Sequence, residues 1–134
     1  MRLNEEDRNA IVSIRLQKAK ETMLEVNANI QLGFWRLAAN RLYYSCYYAA
    51  SALLVKNGIK AHTHIGVISQ FGLHFVTKGF VSKEQGRLFK QLFNLRQDGD
   101  YDDWTVIDEN DIKPFLEPAE KFIAEIENLI NKDD

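Results

Sequence analysis

Residues 42–54 read Leu42-Tyr43-Tyr44-Ser45-Cys46-Tyr47-Tyr48-Ala49-Ala50-Ser51-Ala52-Leu53-Leu54, and they decide the fold. The stretch is apolar nearly all round a helical wheel, so a helix here must be covered on several sides. Its alanines let neighbouring helices approach closely, while its tyrosines bury rings and need partners for their hydroxyls. Arg41 and Lys56 close it, and it is shorter than a bilayer crossing. It reads as the central helix of a bundle, from about Phe34 to Asn57, with Gly33 breaking the chain before it and Gly58 stopping it.

The flanking sequence supplies the cover. Asn4 can cap a first helix running to about Ile30, and Glu5, Glu6 and Asp7 suit its positive end. Val12, Leu16, Ala19, Met23, Val26 and Ile30 form one apolar face. Thr63 can cap a shorter third helix from His64 to about Lys78, ended by Gly79. Ser82 and Gln85 have capping-box spacing, so a fourth helix starts near Lys83 and buries Leu88, Phe89, Leu92, Phe93 and Leu95. Asp98-Gly99-Asp100 has turn chemistry and should end that helix near Gln97, opening an acidic, aromatic loop to Trp104. A last helix runs from about Asp108 or Asp111 to Ile130, with Pro114 in its first turn and Pro118 bending it. No strand pattern competes. The expectation is one all-α domain over residues 1–134, an up-and-down four-helix-type bundle with one additional short helix, five in all.

Composition narrows function. At 134 residues and 46% hydrophobic, the chain can build one contiguous core. A net charge of -2 provides no global field for nucleic acid, so any such binding needs a local basic patch. The single cysteine, Cys46, cannot form an internal disulfide, and the polar N-terminus MRLNEEDRN lacks a signal peptide's apolar core. Both point to the cytoplasm, without a membrane.

Few residues can carry chemistry. Arg96 sits at the edge of the buried stripe, where its guanidinium can pair with the acidic loop or hold a phosphate bidentately. Arg41, Tyr44 and Tyr48 follow one helical face and suit either a buried polar network or a base and a phosphate. His64 opens a helix N-terminus and could contact an anion. His62 and His64 have no cysteine or carboxylate to complete a metal set, so neither metal nor cofactor is expected.

These stretches together resemble a known family. Ala38 through Ala50 looks like the second helix of the HEPN domain family. His64-Ile65-Gly66-Val67, with Phe71 and Phe75-Val76, resembles its third, and Arg96 followed by Gly99-Asp100-Tyr101-Asp102 resembles the end of its fourth. The resemblance implies a compact helical bundle, commonly a homodimer. It also implies metal-independent endoribonuclease toxins in the family, often partnered by a minimal nucleotidyltransferase. Active members carry an arginine, four to six intervening residues and a histidine. Here that window holds Tyr101, Asp102 and Asp103, and no histidine follows His74. Two readings follow. One is a toxin–antitoxin-related module that dimerises and binds a nucleotidyltransferase, a nucleotide or RNA, with Arg41, Tyr44, His64 and Arg96 as binding residues. The other is a ribonuclease in which Asp100, Tyr101 or Asp102 serves beside Arg96 as the catalytic partner.

Overall fold

The computed structural model describes residues 3–132. Helix α1 spans Glu5–Leu32, with the Asn4 side chain accepting the Asp7 amide at 2.7 Å. Gly33 ends it at φ 75°, a left-handed conformation that suits a residue without a Cβ. After Gly33 and Phe34 the chain turns back into α2, Trp35–Lys56.

Helix α2 lies at the centre and touches α1, α3, α4 and α5. Ala38, Ala39, Ala49, Ala50 and Ala52 are fully buried, so several helices approach its backbone at once. Tyr43 of α2, Phe71, Phe89 and Phe122 are the largest fully buried side chains, and the other three rings all meet Phe89. Burying an aromatic side chain of this kind contributes roughly 1.5–3 kcal/mol. The Cys46 thiol is fully buried, and burial pushes its pKa up to about 12, so it is an unreactive core group.

Helix α3, His64–Phe71, is capped by Thr63, whose hydroxyl accepts the Gly66 amide at 2.8 Å. The expected single helix to Lys78 is instead α3 followed by a π-helical turn over Gly72–Val76. The Thr77 amide reaches back five residues to the Gly72 carbonyl at 2.9 Å, and Gly79 leaves the segment at φ 82°.

Helix α4, Lys83–Tyr101, also differs from expectation. It does not stop at Gln97 but continues through Asp98, Gly99 and Asp100. The glycine serves close packing rather than a turn: a Cβ at Gly99 would lie 2.7 Å from Ile107 Cδ1. The Ser82 hydroxyl accepts the Gln85 amide at 3.2 Å, but Gln85 Oε1 has no partner, so the reciprocal arm of the capping box is absent. The complete box lies at α5, Glu109–Asn131, where Asp108 and Asp111 each accept the other's backbone amide. Pro114 and Pro118 both lie inside α5 rather than in its first turn, and the helix runs unbroken through them. Pro118, Pro114 and Asn110 are all exposed, so each proline costs the helix a hydrogen bond on its solvent side rather than in the core. Helices α1, α2, α4 and α5 make the four-helix-type bundle, and α3 is the additional short helix. No helix among the described residues is long and apolar enough to cross a membrane.

Candidate functional site

The end of α4 packs against the first half of α2. Asn40, Tyr43, Tyr44 and Tyr47 follow each other at helical spacing, so they share one face of α2. That face meets Arg96 from α4 and His64 from the start of α3.

Arg96 is buried, with 6% of its surface exposed. Its guanidinium carbon lies 5.2 Å from the Tyr43 ring centroid, 5.7 Å from Tyr44, 5.5 Å from Phe93 and 5.8 Å from Tyr101. Electron-rich ring faces thus replace much of its hydration. Its one ion pair among the described residues is loose: Nη1 stands 3.7 Å from Asp100 Oδ2. Its Nε is buried without a hydrogen-bond partner. A buried donor left unsatisfied costs about 1–3 kcal/mol, so Arg96 retains unused donor capacity.

Asp100 closes this pocket from outside. Asn40 donates to Asp100 Oδ2 at 3.0 Å, and Asn40 Oδ1 in turn accepts from Arg41 Nε at 3.1 Å and Nη2 at 2.9 Å. Arg41 also lies 5.2 Å from the Tyr44 ring and 3.6 Å from Glu25. Arg36 ties α2 to the same helix end, donating to the Gly99 carbonyl at 3.1 Å and the Thr105 carbonyl at 2.9 Å. Glu25, Arg36, Asn40, Arg41 and Asp100 line an open cleft of about 610 Å³.

His64 lies behind Tyr43 and Tyr44. Its Nδ1 shares a 2.8 Å hydrogen bond with the Tyr43 hydroxyl, and its ring centroid lies 4.6 Å from that of Tyr47. Burial and then the Arg96 charge hold its pKa below the usual histidine value, so it stays neutral near pH 7. Burial also pushes the Tyr43 hydroxyl well above the ordinary tyrosine range, so it keeps its proton.

The family model described as HEPN domain matches residues 12–129. This chain belongs to the HEPN domain family. A Thermotoga maritima relative named UPF0332 protein is 32% identical over 96% of both chains. A Methanocaldococcus jannaschii protein named as a candidate toxin is 31% identical over 97% of this chain and 90% of its own. A second protein of that organism, also named as a candidate toxin, is 28% identical over 88% of this chain and 82% of its own. The crystal structure of TT1696 from Thermus thermophilus superposes with a TM-score of 0.74, covering 87% of this chain and 96% of that one. At 16% identity that likeness shows a shared fold.

Within this HEPN bundle, Arg96, Asp100, Tyr44, Arg41 and His64 gather at one end. Tyr101 is 74% exposed and lies at the rim over Arg96. Asp102 points elsewhere: it accepts from the Trp104 amide at 2.9 Å and the Thr105 hydroxyl at 2.7 Å. Those bonds, the Thr105 bond foremost, hold its carboxyl below the usual range. Asp102 therefore anchors the turn after α4. Tyr43 and Asn40 were not singled out in the sequence, yet Tyr43 links His64 to Arg96 and Asn40 links Arg41 to Asp100. Their spacing with Tyr44 and Tyr47 is the signal that could have found them.

Proposed function

We propose that this HEPN chain is a toxin–antitoxin-related module that dimerises, engages a nucleotidyltransferase partner, and takes up a phosphate-bearing ligand, nucleotide or RNA, beside Arg96. The observation that carries the reading is Arg96 itself. It is a buried guanidinium with a loose carboxylate and an unpartnered Nε. Asp100 holds the position that an incoming phosphate oxygen would take. Displacing that carboxylate frees Asn40 and Arg96 to donate to the anion, with Arg41 at the cleft edge adding charge. Guanidinium–phosphate pairing is charge-assisted and can be bidentate, so the exchange favours phosphate over the single 3.7 Å contact. The test is a fluorescence-anisotropy titration with a labelled single-stranded RNA and with a nucleoside triphosphate. The wild type is expected to bind one of them, and Arg96→Gln to weaken it at least tenfold, or about 1.4 kcal/mol. Equal affinity for both proteins would sink the reading.

One observation favours ribonuclease chemistry as a second reading. His64 and Arg96 share the Tyr43 and Tyr44 rings, so a neutral imidazole stands near the guanidinium although no histidine follows Arg96 in sequence. A neutral imidazole can take the proton of a ribose 2′-hydroxyl as that oxygen attacks phosphorus and the 5′ oxygen leaves, protonated from water, while an arginine pairs with the charged phosphate oxygens. Asp102 is committed to its turn, which leaves Asp100 and Tyr101 as the nearer of the original alternatives. RNA cleavage in the presence of a chelator, lost in both Arg96→Ala and His64→Ala, supports this reading. An inert wild type removes it.

A further inference from the structure

Of the tyrosines on α2, Tyr43 is fully buried, whereas Tyr44, Tyr47 and Tyr48 are half-buried. Packing fixes its ring: Phe89 stacks on it at 5.9 Å between centroids, and Phe93 meets it edge-on at 5.6 Å. The hydroxyl therefore cannot swing to a new partner. Among the described residues its one hydrogen bond is the 2.8 Å contact with His64 Nδ1. The imidazole is held as firmly. The Tyr47 ring lies 4.6 Å from it, and the Tyr44 ring meets it edge-on at 5.6 Å. The buried side-chain polar atoms without a partner are Gln85 Oε1 and Arg96 Nε among the described residues. Nε2 of the half-buried His64 is not one of them, so that nitrogen opens to solvent.

The placing of one proton decides what the open nitrogen can do. A neutral imidazole carries a single N–H and a single lone pair. With the proton on Nδ1, His64 would donate to the Tyr43 oxygen, and the O–H of Tyr43 would be left buried without an acceptor. A buried donor left unsatisfied is destabilising. With the proton on Nε2, the Tyr43 hydroxyl donates into the Nδ1 lone pair and both groups are satisfied. The Arg96 guanidinium, 5.2 Å from the Tyr43 ring, acts in the same direction. A nearby positive charge makes the phenol a better donor and opposes a second proton on the imidazole.

We infer that Tyr43 is a positioning residue that holds His64 in its Nε2–H form, so that His64 meets the phosphate of the ligand as a hydrogen-bond donor beside Arg96. The two side chains share the Tyr43 and Tyr44 rings, which keeps the imidazole next to the guanidinium. Phosphate oxygens are acceptors, so they match two N–H donors, His64 Nε2 and the unused Arg96 Nε. The inference rests on the phosphate-binding reading above. It runs against the ribonuclease reading, which needs Nε2 without its proton.

Long-range proton–nitrogen NMR correlation of the histidine rings at neutral pH tests the tautomer, with His64 assigned by its absence in His64→Gln. Wild type should show the proton on Nε2 and the lone pair on Nδ1. In Tyr43→Phe the Nδ1 signal should move towards that of a lone pair without a hydrogen bond, with circular dichroism to establish folding. A proton on Nδ1 in the wild type overturns the inference. Anisotropy titration with labelled single-stranded RNA, and with a nucleoside triphosphate, tests the role at the ligand. His64→Gln keeps an amide N–H near the place of Nε2 and should bind within about threefold of wild type. His64→Asn puts its amide near the place of Nδ1 instead, and should weaken binding about tenfold or more, the loss of one hydrogen bond to a charged group. If His64→Asn binds as wild type does while Arg96→Gln does not, the phosphate site stands and His64 has no part in it. A wild type that binds neither probe overturns the site and the role of His64 together. Chelator-resistant RNA cleavage that is lost in both His64→Gln and His64→Asn would make Nε2 the proton acceptor and overturn the inference.

Discussion

Arg96 gains its character from what surrounds it rather than from its place in the chain. Four aromatic rings and one distant carboxylate replace water around a full positive charge. Its charge also acts on His64, whose pKa is lowered first by burial and then by Arg96. The consequence for stability has a definite sign. Below a pH of about 6.5 the unfolded chain's histidine takes up a proton that folded His64 resists. The unfolded state then binds more protons, so stability falls as pH drops from about 6.5 through the folded pKa, and His64 adds no slope above it. Urea midpoints measured across that range should fall more steeply for wild type than for His64→Gln. Parallel curves would show that His64 is as easily charged folded as unfolded. Arg96 was legible in the sequence because it lies at the edge of an apolar stripe. The nearness of His64 was not, because 31 residues separate the two and only the α2 tyrosines join them.

At the scale of elements, local propensity failed where a distant residue set the backbone. Asp98-Gly99-Asp100 has the composition of a turn, yet α4 passes through it, and its glycine instead makes room for Ile107, which packs where a Cβ on Gly99 would stand. The Arg96–Asp100 spacing of one helical turn depends on that continuation. Ser82 and Gln85 have the spacing of a capping box, but among the described residues the reciprocal bond forms at Asp108 and Asp111 instead. The π-helical turn after α3 left no signature in the apolar spacing. It has a neighbour that constrains it: a Cβ on Gly86 of α4 would meet Val76 Cγ2 at 3.0 Å and Cγ1 at 3.2 Å. Alanine in a helix gains about 1 kcal/mol over glycine, whereas overpacking costs about 1–3 kcal/mol. Both branches of Val76 are in the way, so overpacking wins. Gly86→Ala should lower the free energy of unfolding by about 1 kcal/mol in urea titration. A stabilised variant would mean that the π-helical turn yields easily.

For the whole molecule, the bundle was legible because one helix, α2, is apolar nearly all round and can exist only under cover. That same property hid the site. In a helix so largely apolar, the spacing of Asn40, Tyr43, Tyr44 and Tyr47 does not by itself say which neighbour their shared face meets, and the packing of α2 on α4 supplies that. In the proposed role, the buried Arg96 guanidinium takes up a phosphate. Nuclear magnetic resonance of the arginine Nε–Hε groups tests it most directly, because the Arg96 Nε is the donor without a partner. Titration with a short single-stranded RNA, or with a nucleoside triphosphate, should shift the Arg96 signal saturably as Asp100 is displaced. An Arg96 signal that stays fixed while either ligand binds elsewhere, or while neither binds, would rule that role out.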